Sequence, residues 1–155
     1  AAAAGATVTH VDASKGMVTW AKENAVSSGL KDAPIRWLVD DCVKFVEREI
    51  RRGNTYDAII MDPPSYGRGP KGEIWKIEDM IHPLIRLCAK ILSEDALFFL
   101  VNSYTTGLAP AVLTYMISTE LKSWNGHVDS QEIGLPVTNS VDFSDTGCLF
   151  TLQII

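Results

Sequence analysis

One stretch limits what this chain can fold into more than any other: Tyr56-Asp57-Ala58-Ile59-Ile60-Met61-Asp62-Pro63-Pro64-Ser65-Tyr66-Gly67. The apolar run Ala58 to Met61 reads as a short buried strand. A carboxylate ends it, and two prolines follow. Proline has no N–H to give to a ladder and cannot continue a central strand, so the chain leaves the sheet here. In an open α/β sheet, ligands bind outside the carboxyl ends of the strands. Asp62 and Tyr66 therefore fall where a ligand would sit, with a rigid diproline between them. Asp-Pro-Pro alone reads equally well as a strand followed by a proline turn.

The chain has 155 residues, 46% of them hydrophobic and 21% charged, which fits one globular domain with its own core. No apolar run has the length of a membrane-spanning helix. Cys42, Cys88 and Cys148 are far apart and odd in number. They resemble neither a metal cluster nor a disulfide framework, so the expected compartment is reducing, the cytoplasm. His10, His82 and His127 also lack ligand spacing, and no metal is expected. The formal charge of −5 gives no overall attraction to nucleic acid, so such a contact needs a local patch. Ala1–Ala4, followed by Gly5, reads as the last turn of a helix. The expectation is that this is the C-terminal part of a longer protein.

Along the chain, strands and helices alternate. Val8 to Asp12 reads as a strand. Ser14 offers an N-cap to a helix over Lys15–Ser27, with Met17, Val18, Ala21, Ala25 and Val26 as its apolar side. Ile35–Val39 is a second strand, ending in Asp40-Asp41. Val43–Arg52 is a second helix, with Arg48, Arg51 and Arg52 as a solvated end suited to its dipole. Gly67–Gly72 reads as a glycine-rich loop. Ile77–Leu92 reads as a long helix that Pro83 starts or kinks. Ala96–Val101 is a strand covered on both faces, and Ala111–Leu121 is a helix. Val128–Ile133 and Cys148–Ile155 close the chain as an antiparallel pair around a polar loop. Helical crossovers between strands argue for a mostly parallel sheet in an α/β domain.

Asp12, Asp41 and Asp62 each follow an apolar strand. Each alone reads as a turn-former or helix cap. In successive parallel units, the three line one rim and suit one extended ligand. A carboxylate at such a strand end is the usual partner of ribose hydroxyls.

The order and spacing resemble the class I S-adenosylmethionine-dependent methyltransferases, and among them the ribosomal RNA methyltransferases with an Asp-Pro-Pro-x-aromatic motif. His10-Val11-Asp12-Ala13-Ser14 matches the family's second motif, Val39-Asp40-Asp41-Cys42 with Phe45 its third, and Asp62-Pro63-Pro64-Ser65-Tyr66 its fourth. Asn24, before Gly29, matches a further family position. The resemblance covers residues 6 to about 122. It implies a Rossmann-like methyltransferase fold, a mostly parallel sheet with a C-terminal antiparallel hairpin. It also implies S-adenosyl-L-methionine as cofactor, held by Asp12, Ala13, Asp41, Cys42 and Asp62. Asp62, Pro63, Pro64 and Tyr66 would form the catalytic set, the acid and the first proline carbonyl accepting from a planar amine while the aromatic stacks on a flipped base. Tyr66, Arg68, Lys71, Asn102 and Tyr104 would bind the substrate, RNA and foremost ribosomal RNA.

The family's glycine-rich loop and the first, central strand before it have no match here. Residues 1–155 are therefore expected to be a partial catalytic domain that binds the cofactor weakly on its own. The related cytosine carbon-5 enzymes place a cysteine nucleophile after the next strand, where this chain has Val101-Asn102-Ser103-Tyr104. Tyr104 in that position favours a purine nitrogen. Each of the three cysteines reads as a structural thiol. Arg68, Lys71 and Lys76, with Trp75 among them, read either as phosphate contacts or as a solvated loop with an anchoring tryptophan. The alternatives are a methyltransferase of protein or of a small molecule, and a non-catalytic nucleotide-fold module.

Overall fold

The computed structural model describes residues 1–69, 72–135 and 147–154, with side chains described up to Gln131. The chain forms two compact units, Ala1–Arg52 and Gly53–Ile155.

The first unit opens on a 3-10 turn, Ala2–Ala4, closed by Gly5 at φ 89°. Glycine takes this left-handed conformation without a Cβ clash, so the turn ends there. Strand β1 (Val8–Asp12), helix α1 (Lys15–Ser27), strand β2 (Ile35–Val39) and helix α2 (Cys42–Arg52) follow. β1 and β2 are parallel, with Val8 opposite Ile35 and Asp12 opposite Val39. Helix α1 is the crossover and packs on both strands. It starts where the Ser14 hydroxyl accepts from the Met17 N–H at 3.3 Å, which satisfies one of the helix's open donors.

The apolar side of α1 is narrower than its spacing suggests. Val18 is buried and Ala21 and Ala25 are half-buried, but Met17 and Val26 stay exposed, as does Trp20. Apolar residues surround this helix, and only one face can meet the strands. The other buried side chains of the unit are Phe45, Val46 and Glu49, all on α2. A buried carboxylate needs a partner, and Glu49 accepts from Arg52 at 2.8 Å. Arg48 pairs with Asp40. Two of the three arginines expected as a solvated helix end are thus held in ion pairs.

The second unit contains β3 (Ala58–Met61), β4 (Tyr66–Arg68), β5 (Ile74–Lys76), α3 (Ile77–Ala89), β6 (Phe98–Ser103), α4 (Pro110–Glu120), β7 (Asp129–Leu135) and β8 (Gly147–Ile154). Its main sheet has the order β3-β6-β8-β7. β3 and β6 are parallel, Ala58 opposite Phe98 and Met61 opposite Val101. β8 runs antiparallel to both β6 and β7, so the closing pair is antiparallel as expected. Of the polar loop expected between its strands, residues 136–146 lie outside the described residues.

On α3, Ile77, Ile81, Leu84, Ile85 and Cys88 are buried, spaced three and four apart along one face. Phe99 and Val101 of β6 and Leu113 and Ile117 of α4 complete the core, and α3 packs on α4. Each such aliphatic or aromatic side chain contributes about 1.5–3 kcal/mol by leaving water. Pro83 sits inside α3 with its ring exposed.

Four expectations change. Helix α3 stops at Ala89 because Lys90, Ile91 and Leu92 tighten into i→i−3 bonds to Leu87, Cys88 and Ala89. Strand β6 spans Phe98–Ser103, because pairing with β8 continues it to Ser103 opposite Thr151. β3 is not fully covered, since Ile60 is 60% exposed. The glycine-rich stretch is the antiparallel hairpin β4–β5, with Tyr66 opposite Lys76 and Arg68 opposite Ile74. The Gly69 N–H donates to the Glu73 carbonyl at 2.8 Å near its tip, and Gly72 takes φ 85°.

Candidate active site

Strand β3 ends at Met61, and Asp62 follows at its carboxyl end. The parallel neighbour β6 carries Asn102 one residue beyond Val101, the partner of Met61. Adjacent parallel strands in this register put Asp62 and Asn102 side by side. The Asn102 amide donates to Asp62 Oδ1 at 3.3 Å. Partial burial raises the Asp62 pKa above its ordinary 3.8, and the Asn102 bond pulls it back only in part. The result is a carboxylate that is a better acceptor than one in open water.

Prolines 63 and 64 carry no N–H, so only their carbonyls can be tied down. The Pro64 carbonyl accepts from the Trp75 indole N–H at 2.6 Å. The Ser65 carbonyl accepts from the Ile77 N–H, the first of helix α3, at 3.1 Å. The Ser65 hydroxyl shares a 2.6 Å bond with that of Thr105 in the loop after β6. Three elements thus hold the turn: β5, the start of α3 and the loop after β6. Pro63 is buried, and among the described residues nothing donates to its carbonyl.

The hairpin β4–β5 leads away from this turn. Its residues alternate between two faces. Tyr66, Arg68, Ile74 and Lys76 share one face and are exposed. Gly67 and Trp75 share the other, where a Cβ on Gly67 would lie 3.6 Å from that of Trp75 and 4.0 Å from the Pro64 ring. Tyr66 is 50% exposed, and its hydroxyl accepts from Arg68 Nε at 2.9 Å. An open cleft beside it is lined by Ser65, Tyr66, Lys76, Glu78 and Asp79. Two carboxylates face one ammonium there, so that cleft does not select an anion. Tyr104 is exposed just past β6, and Lys71 lies outside the described residues.

In the first unit, Asp12 ends β1 and Asp41 follows β2. Both act as caps, as either acid taken alone would. Asp12 Oδ1 accepts from the Ser14 N–H at 2.6 Å, and Asp41 Oδ1 from the Lys44 N–H at 3.0 Å. Each cap uses one oxygen, and among the described residues no donor engages the other. Cys42 donates weakly from Sγ to the Val11 carbonyl at 3.8 Å. Its thiol pKa is raised, first by desolvation and then by the charges of Asp12 and Asp41. Parallel pairing puts Asp12, at the end of β1, and Asp41 and Cys42, just after β2, at the same end of the β1–β2 pair. Exposed Ala13 adds no functional group. These acceptors suit the hydroxyls of a ribose and an exocyclic amine, as S-adenosylmethionine carries. Among the described residues, no group of three His, Cys, Asp or Glu side chains could hold a metal.

Sequence reasoning missed Thr105 and the bond that Trp75 makes to the Pro64 carbonyl. The Thr105 contact leaves no mark in the sequence, since it joins residues 40 positions apart. The Trp75 bond crosses a hairpin whose strands are three residues each, too short for their alternation to signal it.

No family model matches the chain. The ribosomal RNA large subunit methyltransferase K/L of Pseudoalteromonas atlantica is 36% identical over 86 residues, 55% of this chain and 12% of that protein. The ribosomal RNA large subunit methyltransferase K of Neisseria meningitidis is 29% identical over 94 residues, 60% of this chain and 27% of that protein. Among solved structures, the SAM-dependent methyltransferase from Agrobacterium tumefaciens matches with a TM-score of 0.87 and 39% identity, over 99% of this chain and 50% of that one. A structure assigned as a methyltransferase and complexed with SAH matches in fold, with a TM-score of 0.73 and 24% identity, over 94% of this chain and 38% of that one. The chain thus spans 12% and 27% of these curated relatives and at most half of these solved structures. In sequence and in fold, it resembles the class I S-adenosylmethionine-dependent methyltransferases, those of the large ribosomal subunit's RNA among them.

Proposed function

We propose that the chain serves S-adenosylmethionine-dependent methyl transfer to a base of RNA in the cytoplasm, with ribosomal RNA the foremost substrate and a purine nitrogen the target. The observation that carries this is the pairing of Asp62 with Asn102, next in the chain to a Pro63 carbonyl to which nothing donates among the described residues. Both are acceptors, and neither is a donor or a strong acid. Such a site positions an amine rather than performing acid–base chemistry. Asp12, Ala13, Asp41 and Cys42 hold the methyl donor, and exposed Tyr66 stacks on the base. Arg68, Lys71, Asn102 and Tyr104 complete the substrate's surroundings.

The methyl donor supplies an electrophilic carbon on a sulfonium. The amine nitrogen forms the new N–C bond with its lone pair as the S–C bond breaks. That electron pair goes to sulfur, and the amine gives one proton to water. Attack from carbon 5 of cytosine would need a thiolate to add to the ring. Cys88 is buried in α3, and the Cys42 thiol is raised and so held protonated. The Cys148 side chain lies outside the described residues.

A glutamine amide is also planar and carries two N–H groups, so protein methylation is the second reading. Tritiated methyl donor, offered with unmethylated ribosomal RNA and with protein extract, separates the two. Label in RNA supports the proposal. Label in protein alone overturns it.

A further inference from the structure

The turn after β3 has a definite set of acceptors. Asp62 contributes two carboxylate oxygens, and Asn102 takes one of them. Pro63 and Pro64 contribute a carbonyl each, and Trp75 takes that of Pro64 at 2.6 Å. Ser65 is spent on Ile77 and Thr105. Among the described residues, two acceptors remain: one oxygen of Asp62 and the carbonyl of Pro63. Diproline offers no donor at all.

We propose that Trp75 is a positioning residue. By binding the Pro64 carbonyl, it fixes the plane of the turn and leaves two adjacent acceptors for the two N–H groups of an exocyclic amine. This rests on the reading of the turn as the target-base site. It narrows that reading, because a ring nitrogen or a carbonyl group brings no pair of donors to this site. The ring and the indole N–H of Trp75 have separable roles. The Cβ of Trp75 lies beside Gly67, and the ring carries the N–H that binds the Pro64 carbonyl. Among the described residues nothing donates to the Pro63 carbonyl, and a carbonyl left without a donor favours one that arrives.

The test has two parts. The first is hydrogen exchange at the indole N–H by nitrogen-15 NMR, with Trp20, 57% exposed, as the reference. Trp75 exchanges at least about tenfold more slowly than Trp20 if the bond holds. Equal rates overturn the proposal whatever the function. The second is Trp75→Phe, which keeps a ring and removes the donor, assayed on unmethylated ribosomal RNA. We expect kcat to fall about tenfold to a hundredfold from misplacement alone, with KM for RNA little changed and Tm retained. An unchanged kcat overturns the proposal alone, as does a wild-type product methylated at a ring atom. Absence of transfer to RNA by the wild type overturns the functional reading and the proposal with it.

Discussion

Asn102 donates its side-chain amide to Asp62 across the carboxyl ends of two adjacent parallel strands, at 3.3 Å. The bond engages one carboxylate oxygen, and among the described residues no donor engages the other. Asp62→Ala should therefore cut methyl transfer about a hundredfold, the scale on which mispositioning acts. Asp62→Asn keeps one oxygen acceptor and should cost less. Single-turnover rates on the same RNA compare the two.

The pH profile follows from the same pair. Asp62 must be ionised to accept two bonds, and its pKa is raised above 3.8 by partial burial. The acid limb of kcat/KM should lie above that of an ordinary aspartate. Asn102 stabilises the ionised form, so Asn102→Ala should move the limb further up. A limb that moves down would contradict the sign.

Asp12 tests whether a cap also serves as a ligand. Asp12→Asn keeps an oxygen for the Ser14 N–H, now bonded at 2.6 Å, but loses the charge. Tm should be retained while affinity for the methyl donor falls. A charge-assisted hydrogen bond of about 1.5–3 kcal/mol corresponds to about ten- to a hundredfold in Kd. Asp12→Ala should lose both. Isothermal calorimetry and thermal melts read the two effects apart.

Glu120 of α4 joins helix α3 at two points, accepting from Arg86 Nε at 3.0 Å and lying 2.7 Å from His82 Nε2. The Arg86 bond is the main cause that lowers its pKa below the ordinary 4.5, with His82 adding to it. A carboxylate with a lowered folded-state pKa contributes stability above its unfolded value and loses it as pH falls through the folded one. Glu120→Gln should therefore lower Tm at neutral pH, and the gap to wild type should close well below pH 4.5. The pair is largely solvent-screened, so the effect should be small and weaken with salt.

Phe99, fully buried in β6, marks the core. Phe99→Ala should cost about 3–5 kcal/mol, because the cavity adds to the lost transfer energy. Urea melts measure it directly.

Much of this was legible in the chain. The strand–helix alternation, the antiparallel close and the acids at three strand ends all follow from periodicity and from residues that break it. What escaped has physical causes. β4 and β5 are three residues each, too short for an alternation to stand out among glycines. Ile59-Ile60 reads as buried on both faces, but apolarity does not say whether a covering element is there, and Ile60 is 60% exposed. Met17 and Val26 fit a helical stripe that faces no partner. The bonds of Asp62 to Asn102 and Ser65 to Thr105 join residues 40 apart and depend on strand register, which pattern alone does not supply.

The central claim is that the turn at Asp62-Pro63 holds an exocyclic amine of an RNA base. The most direct measurement is mass spectrometry of nucleosides digested from unmethylated large-subunit ribosomal RNA after reaction with isotopically labelled methyl donor. The account predicts a purine carrying the label on its exocyclic nitrogen with the wild-type protein, and labelling about a hundredfold slower with Asp62→Ala. Label on carbon 5 of cytosine, or labelling at the wild-type rate with Asp62→Ala, would contradict it.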